Sequence, residues 1–269
     1  MKMTTLSPTE SNDQYALPKI LSIWLLAAAP MGILVYFINP IISPGFESDP
    51  LGAAFTRISL ITAGLIWQFI LSLIIIRREE GNTSWTTIKE RLQLNTPIDP
   101  KTGESSRKMW LWTIPFILLL FLVIYTVIGP PLDTQWFTLF PRFAPTVGSN
   151  LNEVFASTEI QAKVVGNWSF FGLFLIMAVF NILGEEFLFR GILLPKMEGV
   201  FGKYDWMANG ALMGAYHWHQ PWTIPGSILA GALCMSYPVK RYGSTYMSII
   251  IHGFQFVVTL PMIILLVLG

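Results

Sequence analysis

The sequence is poor in charge: only 12% of its 269 residues are Asp, Glu, Lys or Arg. A soluble domain carries about 25% charged residues, because its surface has to be solvated. Hydrophobic residues make up 53% of the chain, and the mean hydropathy is +0.55. This composition excludes a soluble enzyme and a disordered protein, and it indicates an integral membrane protein.

Further absences narrow the class of function. The chain has one cysteine, Cys234, which excludes an intrachain disulfide framework. Its net charge is +1, so it offers no basic field for nucleic acid, and we expect no nucleic-acid partner. An HExxH motif, a GxSxG motif and a phosphate-binding glycine loop are all missing, which removes the zincin, serine-hydrolase and nucleotide-binding patterns.

The chain contains long apolar runs. Four long runs and three shorter ones follow one another at 20–38, 58–76, 109–128, 168–194, 206–218, 224–237 and 244–259. Residues 261–268 are too short to span alone, so they are either an eighth short helix or the kinked end of the seventh. Because a helix satisfies its own backbone in lipid, the sequence predicts an all-α, polytopic transmembrane helix bundle of seven or eight spans.

Basic residues lie mostly on one side of the membrane if the spans alternate. The segment 77–108 between the second and third runs carries seven Lys and Arg residues. This asymmetry predicts a cytoplasmic N-terminus, with 1–19 as a cytoplasmic tail and 20–269 as a single transmembrane domain. The charge distribution fits a bacterial plasma membrane and an endoplasmic reticulum membrane; of the two we favour the bacterial one.

Ionisable side chains inside a span cost roughly 2.5–3.5 kcal/mol each to insert, and they mark candidate functional sites. The fourth apolar run contains Glu185, Glu186 and Arg190. Glu186 and Arg190 are four residues apart, so they share a helical face and can pair. Glu185 points about 100° away from Glu186. A structural ion pair therefore explains only one glutamate, and the other is free to face a cavity as a general base.

Two histidines are predicted at the depth of Glu185. Counted from the basic side, Glu185 and His252 lie roughly 13 Å deep and His217 roughly 18 Å deep. His219 points away from His217 unless the helix ends there, as Pro221 suggests, and we assign His219 to packing. His252 alone fits a packing role as well as a site. Three helices that carry such groups in one layer nevertheless predict that Glu185, His217 and His252 converge.

A carboxylate with two imidazoles can activate water either directly or on a divalent metal ion. The reaction that fits is hydrolysis of an acyl bond, such as a peptide bond, within the bilayer. The candidate metal ligands are Glu185, His217 and His252, with zinc as an example of the metal. A metal-free mechanism fits the same residues.

The order of these residues resembles a known family. Glu185 and Glu186 with Arg190, then His217, then His252 are similar to the EExxxR, FxxxH and HxxxN motifs of the CAAX prenyl protease and bacteriocin-processing (CPBP, or Abi) family. The similarity covers about 168–260, the peptidase-like core. It implies an intramembrane endopeptidase of the bilayer that acts on a membrane-associated peptide or protein, lipidated in some members. Such proteins are described as metalloproteases and also as metal-free glutamate proteases.

The resemblance also implies a role for each residue. Glu185 would activate the attacking water, and His217 would share or orient that water. Glu186 and Arg190 would hold the helix and the electrostatics of the site. His252 would assist near the developing oxyanion.

Two positions depart from the family pattern. Met213 stands at the aromatic position of the second motif, and Phe256 stands at the asparagine of HxxxN. Phenylalanine cannot donate to an oxyanion, and losing such a donor costs roughly 10²–10³ in rate. Gln255 is adjacent but about 100° round the helix.

Phe256 therefore favours an alternative function, a catalytically impaired membrane scaffold or bacteriocin-immunity protein with the same fold. A third hypothesis is a transporter that uses Glu185 and the histidines as a proton relay. The lack of internal repeats weakens it.

Overall fold

The computed structural model describes residues 14–150 and 156–269. Within these residues there is no β-strand, and only an isolated bridge joins Ile98 to Ser105. The main helices are α1 (Leu17–Ile42), α2 (Pro50–Glu80), α3 (Trp85–Arg91), α4 (Arg107–Leu139), α5 (Thr158–Val164), α6 (Trp168–Lys196), α7 (Asp205–Tyr216), α8 (224–242) and α9 (Tyr246–Leu268).

The predicted all-α membrane bundle is confirmed, but the number of spans is not. In the described part of the chain, five helices are long and apolar enough to cross a membrane, namely α1, α2, α4, α6 and α9. Helix α7 has 12 residues, which is too short to cross about 30 Å of hydrocarbon alone. Residues 261–268 are the end of α9, which contains Pro261 and continues to Leu268, rather than a separate eighth helix.

The first helix begins slightly earlier than the sequence predicted. Helix α1 starts at Leu17, with a proline in its first turn, where the missing N–H costs nothing. Most of the predicted tail 1–19 lies outside the described residues, and the single domain 20–269 stays a prediction.

Several helix ends meet where most of the basic residues are, and we call this the basic end. Tyr15 donates its hydroxyl to Glu79 (2.5 Å) and its backbone N–H to the carbonyl of Lys196 (2.9 Å). Arg91 of α3 pairs with Glu79 (3.0 Å) and donates to the Gly191 carbonyl (3.0 Å). Burial raises the pKa of Tyr15, so its hydroxyl stays protonated and remains a donor. These contacts hold α1, α2, α3 and α6 together.

Helix α6 is the centre of the bundle because small residues let its neighbours approach. At Gly184 a Cβ atom would meet the backbone oxygen of Leu65, so α2 and α6 pack closely there. Gly210 of α7 lies in the same way against Ala232 of α8. The close approach at Gly184 brings the next residue, Glu185, into the interior beside α2.

The backbone of α6 changes from α-helix to π-helix at the motif that contains Glu185, Glu186 and Arg190. Residues Glu186–Leu193 are π-helical, and the N–H of Leu194 bonds to the carbonyl of Phe189, five residues back. Three further π-helical stretches lie in the described residues: Leu34–Ile38 in α1, Leu119–Ile128 in α4 and Ala230–Ser236 in α8. They widen the helix, so side chains here do not follow the regular 100° step.

Candidate active site

Glu185, His217 and His252 line one cavity of about 130 Å³, which we call the central chamber. They come from α6, from the turn that ends α7, and from α9. The structure therefore brings together the three groups for which the sequence predicted a common depth. Asn181 and Gln255 line the same chamber.

Glu185 is buried, with 2% of its surface exposed, yet only one of its two carboxylate oxygens accepts a hydrogen bond from the described residues. Its Oε1 accepts a hydrogen bond from Asn181 Nδ2 (3.1 Å). Its Oε2 has no hydrogen-bond partner among the residues that the structure describes. A buried carboxylate oxygen without a donor is costly unless a water or a ligand takes that place. Glu185 Oε2 is therefore the atom available to a reactant.

Glu186 has different surroundings: its Oε2 also has no hydrogen-bond partner among the described residues, but it does not line the central chamber. Its Oε1 accepts from His252 Nδ1 (2.8 Å) and from Arg190 Nη1 (3.4 Å). Arg190 is fully buried and also donates through Nη2 to the Gly231 carbonyl (3.3 Å), with Met213 Sδ at the same distance. The predicted pair of Glu186 and Arg190 is present. It is one part of a network that ties α6 to α7, α8 and α9.

Both site imidazoles are held through Nδ1. His217 Nδ1 lies 2.9 Å from the Met213 carbonyl, and His252 Nδ1 lies 2.8 Å from Glu186 Oε1. A carbonyl and an ionised carboxylate only accept, so each Nδ1 carries the hydrogen. Each ring therefore keeps Nε2 for whatever occupies the chamber.

His219 lies beside His217 rather than on the far side of a helix. Helix α7 ends at Tyr216, and His217–His219 form a single 3₁₀ turn. The two imidazole rings stack with centroids 5.6 Å apart and planes 24° apart. The sequence assigned His219 to packing, but its side chain lines a second cavity next to the chamber. A separation of about 200° for residues two apart applies only while the α-helix continues.

The second cavity has a volume of about 810 Å³, mostly apolar walls, and Glu185 in its lining. We call it the apolar cavity. It extends from Glu185 along α9 to Leu265 and to Ala156, which lie away from the basic end. The apolar cavity therefore extends toward the end of the bundle opposite the basic end. Glu185 lies between the chamber and the apolar cavity, because it lines both.

Asn181 and Gln255 are two polar residues of the chamber that the sequence did not assign to the site. Gln255 Nε2 donates to Asn181 Oδ1 (3.0 Å), and Asn181 donates to Glu185. Phe256 turns instead onto Phe174, with ring centroids 6.3 Å apart. Asn181 is four residues before Glu185, so the shared helical face was the signal that could have found it.

The donor set does not fit a metal ion as it stands. Among the described residues no group of three or more His, Cys, Asp or Glu side chains could hold one. A zinc site uses three or four protein ligands around one point. Glu185, His217 and His252 share a cavity, but their side chains do not come together into such a group. These side chains are instead arranged as a carboxylate base can be, with one oxygen held and the other open to a water.

Residues 167–258 match the model of the Rce1-like protein family, whose description is type II CAAX prenyl endopeptidase Rce1-like. In this segment the chain is similar to the CAAX prenyl proteases. The matched segment contains every residue that the sequence singled out for the site and ends just after Phe256. No curated protein and no solved structure matches the chain at a significant level. The family is one of membrane proteases, which agrees with the apolar helices of the fold.

Proposed function

We propose that this protein is an intramembrane endopeptidase of the CAAX-protease type in which Glu185 activates the attacking water without a metal. One observation carries the proposal. A buried carboxylate oxygen without a partner, Glu185 Oε2, belongs to a chamber that His217 and His252 also line. The family match over 167–258 supports the reaction class.

The proposed reaction begins with a water in the chamber, whose volume of about 130 Å³ is ample for one. Glu185 Oε2 takes one proton from the water, while His217 Nε2 accepts a hydrogen bond from the other. The hydroxide formed attacks the peptide carbonyl, and the tetrahedral intermediate collapses when Glu185 gives the proton to the leaving amine. No atom or electron is needed from outside the substrate and water.

Glu186 and His252 take a supporting part in this scheme. A positive charge on the His252 ring would be offset by Glu186, 2.8 Å from Nδ1, in the way a carboxylate supports a catalytic imidazole. Nε2 can then donate toward the developing oxyanion. Arg190 holds Glu186 in place from the other side.

The apolar cavity supports a membrane-associated, prenylated peptide as substrate. It adjoins Glu185, and the side chains of Leu65, Phe174 and Ile263 are among its apolar walls. A hydrocarbon chain attached near the scissile bond would fit such a space. We propose further that the basic end faces the cytoplasm of a bacterial plasma membrane, since cytoplasmic ends carry the excess of Lys and Arg.

One observation favours a second candidate, a non-catalytic scaffold or immunity protein. Phe256 stands where the resembling motif has an amide donor, and its ring packs on Phe174. If this candidate were correct, a Glu185→Gln variant would keep full biological activity.

Reconstituted proteoliposomes test the proposal. Wild type, Glu185→Ala and His217→Ala are given a fluorogenic peptide with and without a prenyl group, and thermal unfolding monitors the fold. Glu159→Gln is the control, because Glu159 is an exposed glutamate paired only with Lys163 in its own helix. We expect cleavage by wild type and the control, and loss of cleavage in both site variants. Retained cleavage in both site variants would refute the proposal.

A further inference from the structure

The central chamber contains a pair of carboxamides that none of the three motifs includes. We propose that Asn181 and Gln255 act as a two-amide relay: Asn181 positions Glu185, and Gln255 supplies the N–H that stabilises the oxyanion in place of the amide missing at Phe256. The inference rests on the proposed endopeptidase function and extends it to two new residues. In it Asn181 is a positioning residue and Gln255 a catalytic one.

The carboxylate of Glu185 fixes the direction of the relay. An ionised carboxylate can only accept, so the group of Asn181 that faces Glu185 Oε1 at 3.1 Å is the NH₂. The carbonyl oxygen of Asn181 then faces Gln255, and the group of Gln255 at 3.0 Å from it must also be an NH₂. The orientations of both amides therefore follow from the negative charge of the Glu185 carboxylate.

With this amide orientation, one of the two N–H groups of Gln255 is free to donate to another acceptor. An NH₂ group has two hydrogens, and the bond to Asn181 Oδ1 uses one of them. Gln255 is half-buried and lines the central chamber together with Glu185 and His252. A preorganised donor beside the reacting carbonyl is the kind of group that stabilises an oxyanion.

Helix geometry explains why residue 255 can replace residue 256. Positions three and four after His252 both lie close to its face of α9, on opposite flanks. Phe256 takes the flank that packs on Phe174, outside the chamber, whereas Gln255 takes the flank that meets Asn181. The relay also explains the position of Asn181, one turn before Glu185 on α6.

The test separates a donor from a space-filling side chain. Gln255→Met keeps the length of the side chain and removes both N–H groups, and Asn181→Leu removes the donor to Glu185. Steady-state cleavage in proteoliposomes should show kcat lower by about 10²–10³ for Gln255→Met, with KM changed less than about threefold. Asn95→Ala is the control, because the Asn95 amide bridges to the Gly243 carbonyl (2.9 Å) and is not in the chamber wall. It should keep the wild-type kcat per folded molecule.

Two further measurements hold even if a variant is partly unfolded. In the double variant Gln255→Met/Phe256→Asn, an amide returns on the other flank, and kcat should rise at least tenfold above that of Gln255→Met. Inhibition by a peptidyl trifluoromethyl ketone, which hydrates to a tetrahedral species, should weaken in Gln255→Met. Inhibition by the matching alcohol should not change.

The outcomes distinguish the relay from the endopeptidase itself. If Gln255→Met cleaves like wild type while Glu185→Gln is inactive, the relay is overturned and the endopeptidase stands. If the loss in Gln255→Met only parallels the loss of folded protein and the two inhibitors weaken equally, the role is structural and the relay is again overturned. If Glu185→Gln cleaves like wild type, the proposed function fails.

Discussion

Two neighbouring glutamates of α6 occupy different surroundings. Glu186 is fully buried and shares one oxygen between a guanidinium and an imidazole. Glu185 is almost as buried, but its hydrogen bond comes from an amide and no cation pairs with it. The second oxygen of each glutamate has no hydrogen-bond partner in the described residues, and of the two residues only Glu185 lines the central chamber. The difference shows how a membrane protein divides its costly polar groups. Those matched by opposite charge hold helices together, and those left unmatched are available to a reactant.

The largest effect should come from removing the charge at Glu185. Glu185→Gln keeps the shape and the hydrogen bond from Asn181 but abolishes the base, so cleavage should fall by about 10²–10⁴. The unfolding temperature should change little, because no ion pair is lost. Peptide cleavage and thermal unfolding in detergent measure the two effects. A large fall in stability with little loss of cleavage would reverse the roles assigned to the two glutamates.

The next largest effect should come from Arg190, which pairs with the buried Glu186. Arg190→Met leaves Glu186 buried without its cationic partner, which costs about 3–5 kcal/mol. The variant should unfold at a lower denaturant concentration in detergent. The double variant Glu186→Gln/Arg190→Met removes the stranded charge and should recover part of the loss. Equal stability of both variants would argue against a charge-paired network.

A smaller effect on the kinetics of cleavage should distinguish the two stacked histidines, His217 and His219. His217→Ala removes a group of the chamber, so kcat should fall by about 10²-fold. His219→Ala changes the wall of the apolar cavity, so it should raise KM and reduce kcat less than tenfold. Kinetics with the prenylated peptide check this. A larger loss of kcat in His219→Ala would move the site toward the apolar cavity.

The smallest effect, none, is expected from metal removal. The described side chains form no metal-binding group, so cleavage after dialysis against a chelator should equal that before it. Elemental analysis of the purified protein provides the independent check. Activity that is lost on chelation and restored by zinc would require Glu185, His217 and His252 to move together around a metal ion.

The sequence was informative where a single polar side chain interrupts an apolar run. Glu185, His217 and His252 stand out in this way, and their common depth could be calculated from helix rise alone. The pairing of Glu186 with Arg190 followed from their spacing, and that of Glu186 with His252 did not. A contact between helices depends on their rotation and packing, which periodicity does not fix.

Other features were not predicted because they depend on contacts that spacing does not give. From Pro221 the sequence indicated that the helix ends near His219, but not that the rings of His217 and His219 stack. Gln255 lies in the regular helix α9, and its contact with Asn181 of α6 depends on how the two helices pack. The predicted seven or eight spans are not confirmed, since five helices of the described residues are long and apolar enough to cross a membrane. Helices α7 and α8 are apolar because they are buried in the bundle, and hydropathy alone does not distinguish burial in protein from exposure to lipid.

A space of about 810 Å³ with hydrocarbon walls does not remain vacant inside a bilayer. Acyl chains of neighbouring lipids are the material that would fill it, so a substrate enters by displacing lipid and every lipid molecule acts as a weak competitor. Substrate affinity should then follow the mole fraction of substrate in the membrane rather than its bulk concentration. Diluting the substrate with inert lipid at constant volume should then slow cleavage, although the bulk concentrations of protein and substrate stay the same.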